Sequence, residues 1–241
     1  MAVKSHHLDE ALDDLAPLVG DGTVILSVLN GLTSEDTIAA RFPQAHVLLC
    51  IALAMDARRD GERGVLWTQV GRLDFGEADN TDPSADVLRV QKALDRAGLA
   101  WTTPVDMRHA MWWKFMVNVG ANQATALTRS GYGALRDPGG TRDLMLALIH
   151  EVLAVAAVEG VALDAEDVAR WEQVLAGQPA DGWTSMRQDV EAGRTTEVDL
   201  FGGTVVDLGR KHGIATPYNQ AAAWALRGLT EAGARLTTPQ R

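Results

Sequence analysis

The sequence contains a single cysteine, Cys50, so its 241 residues cannot be held together by an intramolecular disulfide framework. Its longest uninterrupted apolar run, residues 47–55, is far shorter than the ~18 residues that a membrane-spanning helix needs. The first seven residues, Met-Ala-Val-Lys-Ser-His-His, lack the pattern of a secretory signal. These absences predict a reduced, cytoplasmic setting and no membrane partner.

Basic charge is also scarce. The chain has 22 Lys and Arg residues against 32 Asp and Glu residues, which gives a formal net charge of −10. This balance disfavours nonspecific binding to nucleic acid, whereas a small acidic ligand needs only one or two local cations. The six histidines show no metal-ligand spacing, and neither a G-x-S-x-G nor a G-x-x-x-x-G-K-S/T motif occurs. We therefore expect neither a metal ion nor a nucleic-acid partner.

The first part of the chain, residues 1–105, alternates helical and strand patterns. Leucines recur at helical spacing over residues 8–18, and the β-branched run over residues 23–29 predicts a buried strand. The other predicted elements are a short helix capped by Thr33 or Ser34, strands over 46–55 and 64–70 around a turn at Asp60-Gly61, a helix over 84–97 closed by Gly98, and an extended segment over 99–105. This alternation is typical of an α/β domain.

From residue 106 onward the strand patterns stop. Helices are predicted over about 107–128, 141–159, 165–176, 184–193, 197–212 and 217–232. Gly160 and Gly213 lie where helices commonly end, and Thr216-Pro217 is a cap followed by a first-turn proline. The predicted fold class is therefore α/β plus all-α, with domains at residues 1–105 and 106–241.

One helical stripe within residues 107–128 has an unusual composition. At 100° per residue, Lys114, Asn118, Asn122 and Thr125 lie close together on one face of an otherwise apolar and aromatic helix. Short amides contribute little to helix stability, but they suit a pocket that needs fixed donors and acceptors. A solvated lysine with two incidental asparagines is the alternative interpretation. The regular spacing of the full set favours a binding site.

Two other segments are uninformative by themselves. Residues 184–199 contain Ser185 and Glu197, whose spacing alone is explained by helix capping and by a carboxylate at a helix start. Asn30 follows the predicted strand over 23–29, where ligands of open α/β sheets bind, but Asn-Gly is also a common turn dipeptide.

Taken together, the motifs resemble those of the ketopantoate reductases (2-dehydropantoate 2-reductases). They occur in the family's order and at its spacings across nearly the whole chain. The matching segments are Val3-Lys4, Asn30-Gly31-Leu32, Lys114-x-x-x-Asn118-x-x-x-Asn122 with Thr125-Ala126-Leu127, Ser185-Met186-x-Gln188-Asp189, Arg194-x-Thr196-Glu197-x-Asp199, Gly202-Gly203 and His212-Gly213-Ile214-x-Thr216-Pro217-x-Asn219.

The resemblance implies a fold and an activity. The fold would be the C-terminal part of a Rossmann-like NADP-binding domain, followed by a helical 6-phosphogluconate-dehydrogenase-like C-terminal domain. The activity would be NADPH-dependent reduction of 2-dehydropantoate to (R)-pantoate in pantothenate and CoA biosynthesis, with homodimer formation as a further expectation. Lys114 would be the general acid and Glu197 the carboxylate that assists it. Asn118, Asn122 and Ser185 would bind substrate, and Asn30 and Lys4 the nicotinamide and ribose end of NADP.

The sequence departs from the family pattern in two places. Residues 181–183 are Asp-Gly-Trp where the family often has an asparagine, and the G-x-G-x-x-G turn that holds the cofactor pyrophosphate is absent. The resemblance therefore implies an N-terminally truncated chain that lacks about two βαβ units. We expect the strand over 23–29 to expose apolar faces and an open edge, and this chain alone to bind NADPH weakly and to be inactive. The alternatives are a non-catalytic helical module that binds a small acid or dimerises, and a reductase of another 2-oxo acid.

Overall fold

A four-stranded mixed sheet organises the first part of the chain. The structure is a computed structural model that describes residues 1–60 and 64–237. Its strands are β1 (Val24–Leu26), β2 (His46–Leu53), β3 (Asp56–Asp60), β4 (Gly64–Gln69), β5 (Arg72–Gly76) and β6 (Trp101–Thr102). The sheet order is β1-β2-β5-β6, with β1–β2 and β5–β6 parallel and β2–β5 antiparallel. The helices of this part are α1 (Leu8–Leu15), α2 (Ser34–Arg41) and α3 (Ala85–Ala97). The predicted α/β class is confirmed.

Strand β1 is shorter than the predicted strand over residues 23–29. The backbone N–H of Leu29 donates to the Ser27 hydroxyl oxygen at 3.4 Å, and the Ser27 and Ser34 hydroxyl oxygens lie 2.9 Å apart. A side chain that binds the following backbone group competes with the strand ladder. The chain therefore leaves the sheet after Leu26 and turns towards α2.

The expectation that the strand over 23–29 would expose apolar faces is wrong for the face that carries Ile25 and Leu29, whereas β1 does lie at an edge of the four-stranded sheet, as expected. Ile25 and Leu29 are buried in a cluster with residues of α1 and α2, namely Leu8, Leu12, Ile38 and Phe42. Val24 and Leu26 pack against a second cluster around Leu48 and Phe75. Val24 and Leu26 are partly buried, so this strand is fully buried on one face and partly buried on the other.

The predicted strands over 46–55 and 64–70 are present as β2 and β4, whereas β3, which lies between them in the chain, was not predicted. Strand β2 pairs with β5, so that Cys50 lies opposite Phe75, whereas β3 and β4 form a separate two-stranded hairpin. In the predicted turn, Asp60 ends β3 and Gly61 lies outside the described residues. Strand β5 escaped prediction because it carries two charged residues. Arg72 donates from Nε to Asp74 Oδ1 at 2.7 Å, and this ion pair allows Asp74 to be buried.

Helix α3 confirms its prediction to within one residue. The Ser84 hydroxyl oxygen accepts from the backbone N–H of Val87 at 3.3 Å, which caps the first turn. Gly98 closes the helix with φ of +67°, in the left-handed region that favours glycine.

The second part of the chain is helical throughout its described residues. Its helices are α4 (Met107–Thr128), α5 (Gly133–Arg136), α6 (Gly140–Val158), α7 (Ala165–Ala176), α8 (Ser185–Glu191), α9 (Gly202–His212) and α10 (Pro217–Thr237). Six of them match predicted helices, and the four-residue α5 was missed. The predicted helix over 197–212 begins only at Gly202, because Phe201 has the non-helical angles φ −106° and ψ −91°.

The chain divides into two compact units, residues 1–111 and 112–241, with the division inside α4. The predicted domain limits, residues 1–105 and 106–241, stay a prediction. In the second unit, Gly120 lets α4 approach α6, because a Cβ there would lie 2.6 Å from Ile149 Cγ1. Among the described residues, no helix combines the length and apolar character needed to cross a membrane.

Candidate functional site

Helix α4 is buried on nearly every side through its middle. Trp112, Trp113, Phe115 and Met116 are all buried, as are residues 119–126. Between residues 111 and 126, only three side chains keep partial exposure: Lys114, Val117 and Asn118. A solvated face would be wide and charged, so this narrow accessible strip with one ammonium group and one amide is better explained as the wall of a binding site.

The predicted stripe is held together by hydrogen bonds. Asn122 donates from Nδ2 to Asn118 Oδ1 at 3.3 Å. One turn further on, the Thr125 hydroxyl donates to the Ala121 carbonyl oxygen at 2.7 Å. Asn122 and Thr125 are buried, whereas Lys114 and Asn118 are partly exposed. The polar stripe therefore runs from an accessible end at Lys114 to a buried end at Thr125.

The buried end of the stripe contacts α8. The hydroxyl oxygens of Thr125 and Thr184 lie 2.7 Å apart, and Thr184 caps α8 by accepting from the backbone N–H of Arg187. Thr184 is buried, but the neighbouring Ser185 is exposed. The family resemblance pointed to Ser185, and only the three-dimensional contact shows that Thr184 is the hydroxyl that meets the stripe. Ser185 as a substrate-binding residue stays a prediction.

Glu197 lies in a segment that is tied back to α8. The Arg194 guanidinium donates from Nε to the buried carboxylate of Asp189 at 2.8 Å, and its backbone N–H donates to the Asp189 carbonyl oxygen at the same distance. Between them, Gly193 turns the chain with φ of +65°. Glu197 itself is partly buried and directly precedes a short 3₁₀ helix, Val198–Leu200.

A buried polar network joins α4 to the beginnings of α9 and α10. Gln123 donates from Nε2 to Asn219 Oδ1 at 3.0 Å. The carboxylate of Glu151 accepts from the backbone N–H groups of Tyr218 and Asn219 at 2.8 and 2.9 Å, and so caps α10. A Cβ at Gly202 would overlap the side-chain oxygen of Gln123, so α9 begins directly against α4. The residues around 184 and 202 are thus anchored to the same stretch of α4, residues 123–125.

Gln123 and Glu151 were missed by the sequence analysis. Both are buried polar residues within apolar helical patterns, and such positions are rare unless the polar group has partners. Asn219 does belong to a family motif, the one over residues 212–219. A buried asparagine in that motif was the one sequence feature that indicated a hydrogen-bonded network at this end of the fold.

Residues 181–183, where the sequence departs from the family pattern, pack against the loop that follows α4. The backbone N–H of Tyr132 donates to the Gly182 carbonyl oxygen at 3.1 Å, and that of Gly133 donates to the Ala180 carbonyl oxygen at 2.9 Å. A Cβ at Gly182 would lie 2.9 Å from the Tyr132 ring, so glycine fits there. Burial raises the pKa of the Tyr132 hydroxyl.

In the first unit, Asn30 and Lys4 lie at the same end of two neighbouring segments. The Val28 N–H donates to the Met1 carbonyl oxygen at 3.0 Å, and the Met1 nitrogen donates to the Leu26 carbonyl oxygen at 2.5 Å. This pattern is that of a parallel pair. Asn30, which is partly buried, and Lys4, which is exposed, therefore both lie beyond the carboxyl ends of parallel segments.

A buried carboxyl supports the turn that carries Asn30. The Ser34 hydroxyl donates to Glu35 Oε2 at 2.8 Å, and Ser34 in turn contacts Ser27 at the end of β1. Burial raises the pKa of the Glu35 carboxyl, and the hydrogen bond from Ser34 partly opposes that shift. Gly31 makes the turn possible with φ of +94°.

Comparison with known proteins gives a consistent family. Residues 106–230 match the model described as ketopantoate reductase PanE/ApbA C terminal, and residues 1–80 match ketopantoate reductase PanE/ApbA. A 2-dehydropantoate 2-reductase of Halobacterium salinarum is 36% identical over 214 residues, which cover 86% of this chain and 67% of that protein.

Solved structures show the same fold. A dimeric ketopantoate reductase from Staphylococcus aureus superposes with a TM-score of 0.81 at 23% identity, covering 96% of this chain and 76% of that one. The ternary structure of D-mandelate dehydrogenase with NADH and anilino(oxo)acetate superposes with a TM-score of 0.86 at 23% identity, covering 96% and 75%.

Proposed function

This chain belongs to the ketopantoate reductase family, and we propose that it serves the NADPH-dependent reduction of 2-dehydropantoate to (R)-pantoate in pantothenate and CoA biosynthesis. The observation that carries the proposal is the accessible strip of Lys114 and Asn118 on an otherwise buried helix. It lies within the segment that matches the family's C-terminal model.

Lys114 is the proposed general acid. NADPH would supply a hydride to the ketone carbon, which would leave negative charge on the ketone oxygen. The ammonium group of Lys114 stabilises that negative charge and gives the oxygen its proton, which completes the alcohol. A lysine ammonium carries both the positive charge and the proton that this role requires. Glu197 is the proposed carboxylate that assists binding and catalysis.

The polar stripe supplies the proposed substrate contacts. Asn118 and Asn122, already linked to each other, present amide donors and acceptors to the carboxylate and hydroxyl groups of the substrate. Ser185 is the third proposed contact. The buried Thr184, next to it in the chain, holds this region of α8 to the stripe.

NADPH is the proposed hydride donor, and Asn30 and Lys4 fit its nicotinamide and ribose end. Both lie beyond the carboxyl ends of parallel segments, which is where ligands of open α/β sheets bind. The described residues offer no glycine-rich turn for the pyrophosphate, since G-x-G-x-x-G is absent from the sequence. A homodimer is the proposed assembly, and sedimentation equilibrium tests it: a monomer at every concentration would contradict the proposal.

Two measurements test the function. The first is consumption of NADPH that depends on 2-dehydropantoate, measured on the chain alone, which we expect to be inactive, and on the chain joined to a family segment that carries the G-x-G-x-x-G turn, in which the variants are compared. Replacing Lys114 by Ala should lower kcat by about 10²–10⁴-fold, the usual contribution of a positioned general acid. Lys92→Ala is the matched control, because Lys92 is an exposed lysine on α3 and should leave kcat unchanged. The second is calorimetric titration with 2-dehydropantoate, with and without NADPH, which reports the substrate site separately from turnover. Full activity of Lys114→Ala would refute the mechanism.

A further inference from the structure

Arg187 is a half-buried cation next to the candidate site. Its guanidinium carbon lies 3.9 Å from the centroid of the Trp183 ring, within cation–π distance. Its Nε is buried and has no hydrogen-bond partner among the described residues. A buried donor without a partner costs free energy, so packing alone does not explain why an arginine occupies this position.

The other arginines of the helical unit with described polar contacts are bonded to oxygen. Their partners are Ala176 and Gln178 carbonyl oxygens for Arg136, Glu172 for Arg142, Asp189 for Arg194, Asp207 for Arg210 and Asp199 for Arg227. Arg170 also stacks on a tryptophan, Trp113, but it is exposed and its charge is hydrated. In a chain of net charge −10, Arg187 thus combines partial burial with no carboxylate partner within the described part of the chain.

Arg187 lies on the side of α8 that meets the polar stripe. The Thr184 hydroxyl accepts from the backbone N–H of Arg187 at 3.4 Å and also contacts Thr125. Residues three apart share a helix face, whereas residues two apart do not. Arg187 therefore shares the side of Thr184 rather than that of the exposed Ser185.

From this placement, we infer that Arg187 is a specificity-determining residue that binds a carboxylate of the substrate. The inference rests on the proposed function, because a 2-oxo acid supplies the carboxylate. A guanidinium presents parallel N–H donors that match a carboxylate, and the contact with the Trp183 ring restrains the position of the Arg187 guanidinium. Lys114 then acts on the ketone oxygen rather than on the carboxylate.

Two carboxylates could fill this role. Thr125 lies eleven positions after Lys114 on α4, which corresponds to about 16 Å along the helix. Arg187 either binds the C1 carboxylate of a small 2-oxo acid, held between two long side chains, or a second carboxylate at the far end of a larger 2-oxo diacid. The chemistry of recognition is the same in both cases.

The test compares ligands and variants by calorimetry in the presence and absence of NADPH. The ligands are 2-dehydropantoate, its methyl ester and 2-oxoglutarate, and the variants are Arg187→Met, Arg187→Lys and the control Arg210→Met. Arg210 is exposed and pairs only with Asp207 among the described residues, so its loss should not change affinity. Arg187→Met should weaken binding of the acid by about 10- to 100-fold, the usual range for a charge-assisted hydrogen-bonded pair.

The pattern across ligands separates the outcomes. The ester should bind wild type and Arg187→Met equally, because it lacks the negative charge that Arg187 binds. Arg187→Lys should retain part of the wild-type affinity for the acid. A loss for 2-dehydropantoate identifies the C1 carboxylate, and a loss confined to 2-oxoglutarate identifies a second carboxylate. If wild type binds either acid and Arg187→Met binds it as tightly, the inference is overturned and the proposed function stands. If wild type binds neither acid under either condition, both are overturned. Thermal unfolding of each variant shows whether it is folded. If Arg187→Met does not fold, the affinity of Arg187→Lys for the acids provides the test.

Discussion

The hydroxyl oxygens of Thr125 and Thr184 lie 2.7 Å apart, so the long helix α4 and the cap of α8 share one buried hydrogen bond. Through this contact, a residue at the end of the polar stripe determines where the segment carrying Ser185 and Arg187 begins. The same stretch of α4 also holds Gln123, which meets the start of α9 at Gly202. The candidate site thus depends on how several segments meet one short part of a helix.

The shared hydroxyl contact predicts coupling between the two threonines. Thr184→Val removes the cap of α8 and should lower the free energy of unfolding by ~1–2 kcal/mol. Thr125→Val removes the partner, and the double variant should cost at least ~0.5 kcal/mol less than the two single costs added together. Urea unfolding measures all three. Thr230→Val is the control, because that hydroxyl bonds only within its own helix, and additive costs would contradict the coupling.

The contact between Gly202 and Gln123 predicts opposite behaviour of two adjacent glycines. Gly202→Ala forces the buried Gln123 side chain away from Asn219 and should lower stability by ~1–2 kcal/mol, a usual cost of overpacking. At Gly203, the nearest atom to a new Cβ would be Asp199 Oδ1 at 3.5 Å, an ordinary contact. Gly203→Ala should therefore leave stability unchanged or raise it by up to ~1 kcal/mol through helix propensity. Equal effects in chemical denaturation would argue against this packing.

Replacing the buried Glu151 should lower the free energy of unfolding of the helical unit. Its carboxylate accepts two backbone N–H groups of α10 and the side-chain amide of Asn219. Glu151→Gln keeps the shape but turns one acceptor into a donor, so we expect a loss of ~2–3 kcal/mol in thermal or urea unfolding. Glu231→Gln, a change at an exposed position of α10, should leave the free energy of unfolding within ~0.5 kcal/mol of wild type. A Glu151→Gln protein as stable as wild type would contradict the capping role.

His46 predicts a pH dependence of stability. The hydrogen bond from its Nδ1 to Asp86 at 2.8 Å, helped by Glu77, raises the pKa of His46. Because the folded-state pKa lies above the unfolded value near 6.5, the stabilisation is fully present below that value and is lost as pH rises through the folded pKa.

Denaturant unfolding at a series of pH values tests this dependence. Wild type should gain stability relative to His46→Gln as pH falls from about 8.5 to about 5.5, and NMR titration should locate the folded pKa above the unfolded reference of about 6.5. Taking the difference between wild type and His46→Gln removes the contributions of all other titrating groups to the free energy of unfolding. A difference that does not vary with pH would exclude the role of His46.

The helices were predictable where local signals were strong. Helix α3 has a serine cap and a C-terminal glycine, and α4 and α7 match their predicted bounds. The sheet was harder, because a strand pairing depends on residues distant in sequence. Strand β5 carries Arg72 and Asp74, and Asp74 is buried because its carboxylate pairs with Arg72 and accepts from the Thr102 hydroxyl. The missed α5 has four residues, too few for a periodic pattern.

By itself, the amino-acid sequence determined the α/β plus all-α class, the helical stripe with Lys114, Asn118 and Asn122, and the family resemblance, because periodicity and motif spacing are local properties. Only the tertiary structure decided that β2 pairs with β5, that Thr184 rather than Ser185 touches the stripe, and that Arg187 is a half-buried cation without a carboxylate partner in the described part of the chain. Each of these depends on contacts between residues far apart in sequence. Burial and hydrogen bonding, which determine what a polar side chain can do, exist only once those residues meet.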